Sequence, residues 1–197
     1  MKISTVRHGQ TDWNAAHRLQ GQIDIPLNEM GKAQAAKIAE RFKDDPIDVI
    51  FTTPLSRALT TAQIINQHLN VPIIQLEGLK EMSFGELEGS AWEDIKDDLM
   101  KHRAGDLTLE SVEIMRDFFE RVHREMDHIT GSDYKNILIV GHYGTIRSIV
   151  CYFKGLDYTH AEDFVVGNTA VHTFEKADDG FKMTLENDSS HLDEAMK

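Results

Sequence analysis

Apolar residues recur along the chain with two periods, which predict alternating strands and helices. Short β-branched or apolar runs predict buried strands at 2–6, 47–51, 71–76 and 136–141. Apolar residues at helical spacing predict helices at 29–43, 55–69, 90–100 and 110–130, and a further helix that begins near Gly144. Residues 168–175 and 181–186 predict a β-hairpin. Strands that alternate with helices are typical of an α/β fold.

Capping and turn residues set the expected boundaries of these elements. Asn28 is a suitable N-cap for the helix over 29–43. The stretch Ser90-Ala91-Trp92-Glu93 has the form of a capping box, so we expect Ser90 to start the next helix. The polar residues 101–107 predict a loop, and residues 187–197 lack a turn signal and are predicted to fray.

The length and composition predict one soluble domain that spans residues 1–197. A chain of 197 residues with 41% hydrophobic residues can bury a sizeable core. We see no leader sequence and no apolar run long enough to cross a bilayer, so no membrane partner is expected. The single cysteine, Cys151, excludes an intrachain disulfide framework, and together these features favour the cytoplasm.

The formal net charge of −12 restricts the partners of the chain. Nucleic-acid-binding proteins usually carry a basic patch, so no nucleic-acid partner is expected. An anionic substrate would be repelled by the overall field, and its site would need locally concentrated cations. Arg7, Arg57 and Arg18 are the candidates.

Chemically versatile side chains follow several of the predicted strands. Arg7 and His8 end the first strand, Arg57 lies in the first turn of the helix after the second, and His142 ends the strand at 136–141. Glu81 follows the strand at 71–76. Ligands of open α/β sheets bind beyond the carboxyl ends of the strands, so we expect these five side chains to meet at one edge.

The motifs around these residues resemble those of the histidine phosphatase superfamily, which includes the cofactor-dependent phosphoglycerate mutases. They occur in order along nearly the whole chain: Arg7-His8-Gly9-Gln10-Thr11 with Asn14, Arg18 and Gln20-Gly21; Ser56-Arg57-Ala58 with Thr61; Leu79-Lys80-Glu81 with Phe84-Gly85-Glu86-Leu87-Glu88-Gly89; Val140-Gly141-His142-Tyr143-Gly144-Thr145-Ile146-Arg147; and Asn168-Thr169-Ala170. The resemblance implies a three-layer α/β/α sandwich whose mainly parallel sheet contains one antiparallel strand.

These residue types suit phosphoryl transfer from a monoester. A neutral imidazole can attack phosphorus, which makes His8 the candidate nucleophile and predicts a phosphohistidine intermediate. The guanidinium groups of Arg7 and Arg57 match phosphate oxygens, and His142 can donate a further hydrogen bond. Glu81 is the candidate general acid, which would then act as the base that activates water.

The resemblance also implies residues that contact the substrate or shape its loop. These are Asn14, Gln20, Gly9, Thr11 and Gly21, with Tyr143 at a variable position after the fourth-motif histidine. For the glycines, turn formation is the competing interpretation. No pair of histidines has metal-ligand spacing with a carboxylate, so neither a metal nor a cofactor is expected.

Two other functions compete with hydrolysis of a small phosphomonoester. A mutase would return the phosphoryl group to the substrate, and family mutases carry a longer segment between the third and fourth motifs. Only about sixty residues separate Glu81 from His142, which favours a more open site and therefore a phosphatase. The third candidate is a catalytically silent phosphate-binding module, which the presence of all five residues disfavours. The sequence leaves the oligomeric state open, with a homodimer as one candidate.

Overall fold

The computed structural model describes residues 1–196. Within that range six strands form one sheet: β1 (Lys2–Arg7), β2 (Val49–Thr52), β3 (Ile73–Gln75), β4 (Asn136–Gly141), β5 (Val171–Ala177) and β6 (Gly180–Asp188). Their order across the sheet is β3-β2-β4-β1-β5-β6. The first four strands are parallel, and β5 pairs antiparallel with both β1 and β6. The prediction of a mainly parallel sheet with one antiparallel strand is confirmed.

In the described part of the chain, six α-helices accompany the sheet: α1 (Asp12–Ala15), α2 (Glu29–Phe42), α3 (Ser56–Leu69), α4 (Trp92–Ala104), α5 (Met115–Thr130) and α6 (Tyr143–Lys154). Short 3-10 helices lie at Glu77–Leu79, Gly85–Leu87, Tyr158–Asp163 and Glu194–Met196. No α-helix among the described residues is both long and apolar enough to cross a bilayer.

Neighbouring residues of each buried strand point to opposite faces of the sheet, so both faces are apolar. Helices cover both of them. On one face Phe51 and Ile139 pack with the apolar sides of α5 and α6. On the other face Ile50 and Leu138 pack with those of α2 and α3. This is the predicted three-layer sandwich.

The register of the parallel strands brings the predicted motifs together. Arg7 of β1 is level with Gly141 of β4, and Thr52 of β2 is level with Val140. The N–H of His8 continues the ladder and donates to the carbonyl of Gly141 at 2.9 Å. The chain therefore leaves β1, β2 and β4 at neighbouring points of one edge, from which the side chains of the site project.

The segment from residue 90 to residue 115 differs most from the sequence prediction. Helix α4 continues to Ala104, so the first part of the predicted loop at 101–107 is helical. Helix α5 begins at Met115 instead of at residue 110. Residues 110 and 111 form a turn before it, and the N–H of Glu113 donates to the carbonyl of Ser83 at 2.8 Å.

The predicted capping box at Ser90 is wrong. The N-cap of α4 is Ala91, which forms an isolated β-bridge with Arg18. The carbonyl of Ser90 accepts the N–H of Leu19 at 3.0 Å. Ser90 and Ala91 are held by this pairing with the loop after α1, and no side chain caps the helix.

The residues after β6 lie against α2. Gln34 Nε2 donates to the carbonyl of Met196 at 2.7 Å, and Lys37 pairs with Asp193 at 3.1 Å. The side chain of Leu192 is buried. These contacts place the last described residues beside α2.

Candidate active site

A cavity of about 540 Å³ opens at the carboxyl edge of the sheet. Its wall includes Arg7, His8, Arg57 and Glu81, and the ring centroid of His142 lies 5.3 Å from that of His8. All five side chains that were predicted to form the catalytic site are therefore in one place.

The cavity is cationic although the chain is strongly acidic. Four arginines (Arg7, Arg18, Arg57 and Arg147) line it, against two glutamates (Glu81 and Glu162). Local concentration of cations is what an anionic ligand needs on a chain of net charge −12.

His8 is held as a neutral imidazole with a defined free nitrogen. Its Nδ1 lies 2.7 Å from the carbonyl oxygen of Gly9, which can only accept a hydrogen bond. Nδ1 therefore carries the proton, and Nε2 keeps its lone pair. Burial lowers the pKa of His8 well below 6.5, and the positive charges of Arg57 and Arg7 lower it further.

The two arginines nearest His8 are held by backbone carbonyls. Arg57 donates to the carbonyls of Gly21 at 2.6 Å and Ile23 at 2.9 Å, and it is 1% exposed. Arg7 donates to the carbonyl of Val166 at 2.7 Å. Burial lowers the pKa of Arg7 to about 10 and also lowers that of Arg57, but the nearby Glu81 opposes both shifts. Arg7 thus keeps its charge at neutral pH.

His142 is the N-cap residue of α6 and is fully buried. Its Nε2 lies 2.9 Å from Oγ1 of Thr53, and its Nδ1 has no hydrogen-bond partner among the described residues. Burial lowers the pKa of His142 well below 6.5, and the charge of Arg57 adds to this effect. The ring is therefore neutral at physiological pH.

Both carboxylate oxygens of Glu81 accept backbone hydrogen bonds. Oε1 accepts the N–H of Met82 at 2.9 Å, and Oε2 accepts the N–H of Gly144 at 3.0 Å in the first turn of α6. A Cβ at Gly144 would lie 2.5 Å from Glu81 Oε1, so the glycine permits this close approach. The carboxylate is fixed against the wall of the cavity.

A half-buried ion pair that was not predicted supports the Glu81 loop. Arg121 of α5 pairs with Glu113 at 2.6 Å and 2.9 Å. The same guanidinium donates to the carbonyls of Gly78, Lys80 and Glu81 at 2.8–2.9 Å. Nothing in the spacing of α5 indicates this role, because Arg121 lies beside the apolar face instead of interrupting it.

The residues predicted to bind substrate fall into two groups. Asn14, Gln20, Gly21 and Tyr143 are on the cavity wall. The other two are not among the lining residues and serve the loop behind it. The N–H of Gly9 donates to Thr61 Oγ1 at 3.1 Å. Thr11 caps α1, and its hydroxyl donates to Gln20 Oε1 at 2.9 Å.

One carboxylate organises the loop that holds Arg57. Glu88 accepts the N–H groups of Gln22 at 2.9 Å, Ile23 at 2.8 Å and Phe84 at 2.9 Å. Gly21 has φ of +55°, and a side chain there would collide with the Glu88 carboxylate. Glu88 belongs to a motif noted in the sequence, but its partners Gln22 and Ile23 are more than sixty residues away, and the sequence gave no sign of these contacts.

Apolar side chains also line the cavity. They are Met82, Phe84, Trp92, Met115, Phe118 and Phe119, of which Trp92 is exposed, Met115 is half-buried and the other four are buried. Arg147, for which the sequence suggested no role, places its guanidinium 4.8 Å from the ring of Tyr143 and pairs with Glu162 at 2.7 Å. Within residues 1–196 no group of three or more His, Cys, Asp or Glu side chains is arranged to hold a metal ion.

This geometry can bind a phosphate group between guanidinium groups and present it to an unprotonated imidazole nitrogen. Comparisons with known proteins identify the family. Residues 3–189 match the model of the histidine phosphatase superfamily, branch 1. The chain belongs to the histidine phosphatase superfamily.

Relatives that match over most of their length give the enzyme class. The chain is 32% identical over 191 residues to the uncharacterized phosphatase PhoE of Bacillus subtilis, which covers 96% of both chains. It is 31% identical over 206 residues to phosphoglycerate mutase-like protein 4 of Arabidopsis thaliana, which covers 98% of this chain and 87% of that protein.

A solved structure is similar over almost the whole chain. It is the phosphoserine phosphatase of Entamoeba histolytica in complex with 3-phosphoglyceric acid. The TM-score is 0.85 at 28% identity, and the match covers 97% of this chain and 98% of that one. With these relatives, the chain is a phosphatase of the histidine phosphatase type.

Proposed function

We propose that this phosphatase hydrolyses small phosphomonoesters through a phosphohistidine intermediate on His8. The observation that carries the proposal is the hydrogen bond from His8 Nδ1–H to the carbonyl of Gly9 at 2.7 Å. It leaves Nε2 with its lone pair, and the lowered pKa keeps the ring neutral where substrate binds.

The first half of the reaction forms the intermediate. His8 Nε2 attacks phosphorus while the bond from phosphorus to the leaving oxygen breaks, and Glu81 gives that oxygen a proton. Arg7 and Arg57 neutralise the charge on the remaining oxygens, and His142 donates to one of them. The products are an alcohol and phosphorylated His8.

The second half releases phosphate. Glu81, now a carboxylate, takes a proton from a water molecule that attacks phosphorus as the phosphorus–nitrogen bond breaks. Inorganic phosphate leaves, and both Glu81 and His8 return to their starting states. In this scheme Asn14, Gln20, Gly21 and Tyr143 contact the substrate from the cavity wall.

Phosphoserine is the first substrate to test, because a similar solved structure is a phosphoserine phosphatase. The panel should also include p-nitrophenyl phosphate and sugar phosphates, with released phosphate as the readout. The cytoplasmic location, the homodimer and the absence of nucleic-acid partners stay predictions from the sequence.

Rapid quench in denaturant tests the covalent step. During turnover, label from the phosphomonoester should appear on His8 as an acid-labile, base-stable adduct. His8→Gln should lose the label and about 10⁴-fold in kcat, as expected on removal of a nucleophile. His68→Gln is the matched control, because His68 lies far along α3 and pairs with Glu40 at the surface. Turnover without a labelled His8 would contradict the mechanism.

The same assays separate the alternatives. With 3-phosphoglycerate primed by 2,3-bisphosphoglycerate, a phosphatase releases phosphate, whereas a mutase forms 2-phosphoglycerate with little release. Rapid isomerisation would replace hydrolysis as the main activity. A silent phosphate-binding module would show neither label nor turnover across the whole panel.

A further inference from the structure

Thr53 lies next to the catalytic site without contacting the cavity. It follows β2, directly before Pro54, and its side chain is fully buried. Its Oγ1 is 2.9 Å from Nε2 of His142. The reaction scheme gives this hydroxyl no part, although it is the one hydrogen-bond partner of the His142 ring among the described residues.

The hydrogen bonds of Thr53 determine which nitrogen of His142 carries the proton. Thr53 Oγ1 accepts the N–H of Leu55 at 3.3 Å. Among the described residues, His142 Nε2 is the one hydrogen-bond partner that could accept the proton of the hydroxyl. If Nε2 were protonated, it would donate to the second lone pair of Thr53 Oγ1, and both the buried hydroxyl proton and the lone pair of Nδ1 would lack a partner. The Nδ1–H tautomer leaves one of these groups unpaired instead of two, which is less costly in a dry site.

The remaining nitrogen of His142 is then the donor. With Nε2 accepting from Thr53, the single proton of the neutral ring is on Nδ1. Nδ1 is buried and has no partner among the described residues, and the ring lies 5.3 Å from that of His8. A phosphoryl oxygen at His8 would supply the missing acceptor.

We infer that Thr53 is a positioning residue, which holds His142 in the Nδ1–H tautomer so that Nδ1–H can donate to the transferring phosphoryl group. The donor role of His142 rests on the proposed function, but the tautomer does not, because it follows from contacts in the free protein. A hydroxyl at position 53 is therefore needed for the reaction, beyond its contribution to packing.

Three substitutions separate the positioning role from a structural one. Thr53→Val removes the hydroxyl and keeps the shape, whereas Thr53→Ser keeps the hydroxyl. Thr52→Val is the matched control, because the buried hydroxyl of Thr52 donates to the carbonyl of Val140 at 3.0 Å instead of to a histidine. Thermal unfolding of all three variants measures any loss of stability.

Long-range ¹H–¹⁵N correlation spectra of ¹⁵N-histidine-labelled protein report the tautomer directly, with the His142 signals assigned from His142→Gln. Wild type, Thr53→Ser and Thr52→Val should show the Nδ1–H pattern, and Thr53→Val should shift toward Nε2–H. In kinetics with a phosphomonoester that the wild type hydrolyses, Thr53→Val should lower kcat about tenfold with KM little changed. Thr53→Ser should stay within about threefold of wild type.

A wild-type spectrum with the Nε2–H pattern would overturn the inference before any variant is made. An equal loss of kcat in Thr52→Val and Thr53→Val would also overturn it, since the effect would then be structural. Unchanged kcat in a Thr53→Val protein whose tautomer has shifted would remove the link to the reaction. A wild type that lacks phosphatase activity would contradict the proposed function and leave the spectroscopic result standing.

Discussion

The inner and outer parts of the cavity are built by different means. We call Arg7, His8, Arg57, Glu81 and His142 the floor. These residues come from strand ends, a helix N-terminus and a loop clamped by Arg121. Apart from Arg7, which is half-buried, all of them are buried, with His142 fully so.

The outer part, which we call the rim, consists of His17, Arg18, Trp92, Met115 and Glu162. His17 and Arg18 lie after α1, and Trp92 and Met115 are at the starts of α4 and α5. Glu162 lies in the 3-10 helix after α6. Apart from Met115, which is half-buried, they are exposed, and Trp92 is 37% exposed.

The difference in burial indicates that the floor and the rim have separate functions. Each floor side chain is fixed by a backbone or side-chain hydrogen bond, and such preorganisation suits a reaction that proceeds by positioning and electrostatic stabilisation. Rim side chains project from turns and helix ends, where substitution is better tolerated. We therefore expect the floor to determine kcat and the rim to determine which alcohol is accepted.

After His8→Gln, Glu81→Gln should give the largest effect among the substitutions in the floor and its supports. Glutamine cannot supply a proton, so kcat should fall about 10²- to 10⁴-fold. The loss should be larger for phosphoserine than for p-nitrophenyl phosphate, whose leaving group departs without protonation. Glu86→Gln is the control, because Glu86 is an exposed carboxylate in the same motif. A loss that is equal for both substrates would contradict the role of Glu81 as general acid.

Arg121→Met tests whether the floor depends on support from outside the cavity. The change removes the guanidinium donor from three backbone carbonyls of the Glu81 loop and from the Glu113 carboxylate. We expect kcat to fall roughly 10- to 100-fold, and stability to fall by about 2–3 kcal/mol, as for a lost charged hydrogen-bond partner. Steady-state kinetics and urea unfolding measure the two effects.

The control for this change is Arg124→Met, one turn further along α5 at an exposed position. It should leave both kcat and stability near the wild-type values. If Arg121→Met also left kcat unchanged, the Glu81 loop would be held in place without the ion pair.

The sequence predicted the floor well because local patterns determine it. A β-branched run that ends in Arg7-His8-Gly9, and a buried run that ends at His142, each predict a strand and its end. Parallel strands then bring their ends to the same edge of the sheet, so the positions of the floor residues follow from the fold class.

The supports of the floor could not be predicted in this way. Glu88 binds the N–H groups of Gln22 and Ile23, and Arg121 binds carbonyls of residues 78–81. Bonds from a side chain to a distant backbone leave no period in the sequence. The same limitation explains the error at Ser90, since its expected cap is replaced by pairing with Arg18 and Leu19 across a long loop.

The buried histidines of the floor should make the fold sensitive to acid. Burial lowers the pKa of His142 in the folded protein below 6.5, its ordinary value, which the unfolded chain retains. Between these two values the unfolded chain binds more protons, so stability is complete above about pH 6.5 and declines as the pH falls. One such group contributes a slope of up to about 1.4 kcal/mol per pH unit.

Urea unfolding between pH 7.5 and pH 5 measures this slope. His142→Gln should reduce it relative to wild type, whereas His17→Gln, at an exposed position on the rim, should not. Equal slopes in wild type and His142→Gln would mean that the neutral state of this ring does not contribute to the acid sensitivity.

Trp92→Ala should give the smallest effect and tests the rim directly. The indole lies at the start of α4 and lines the cavity, so its removal takes apolar contact area away from the alcohol part of a substrate. We expect KM for a bulky aromatic phosphomonoester to rise about three- to tenfold, which corresponds to roughly 1 kcal/mol of lost apolar contact, while kcat stays within about twofold. KM for phosphoserine should change less, because that smaller substrate extends less far from His8.

Met100→Ala is the matched control, since Met100 is an exposed apolar residue of the same helix outside the cavity wall. A Trp92→Ala variant that lost kcat for every substrate alike would show that the rim takes part in the reaction, and the separation of the two regions would fail.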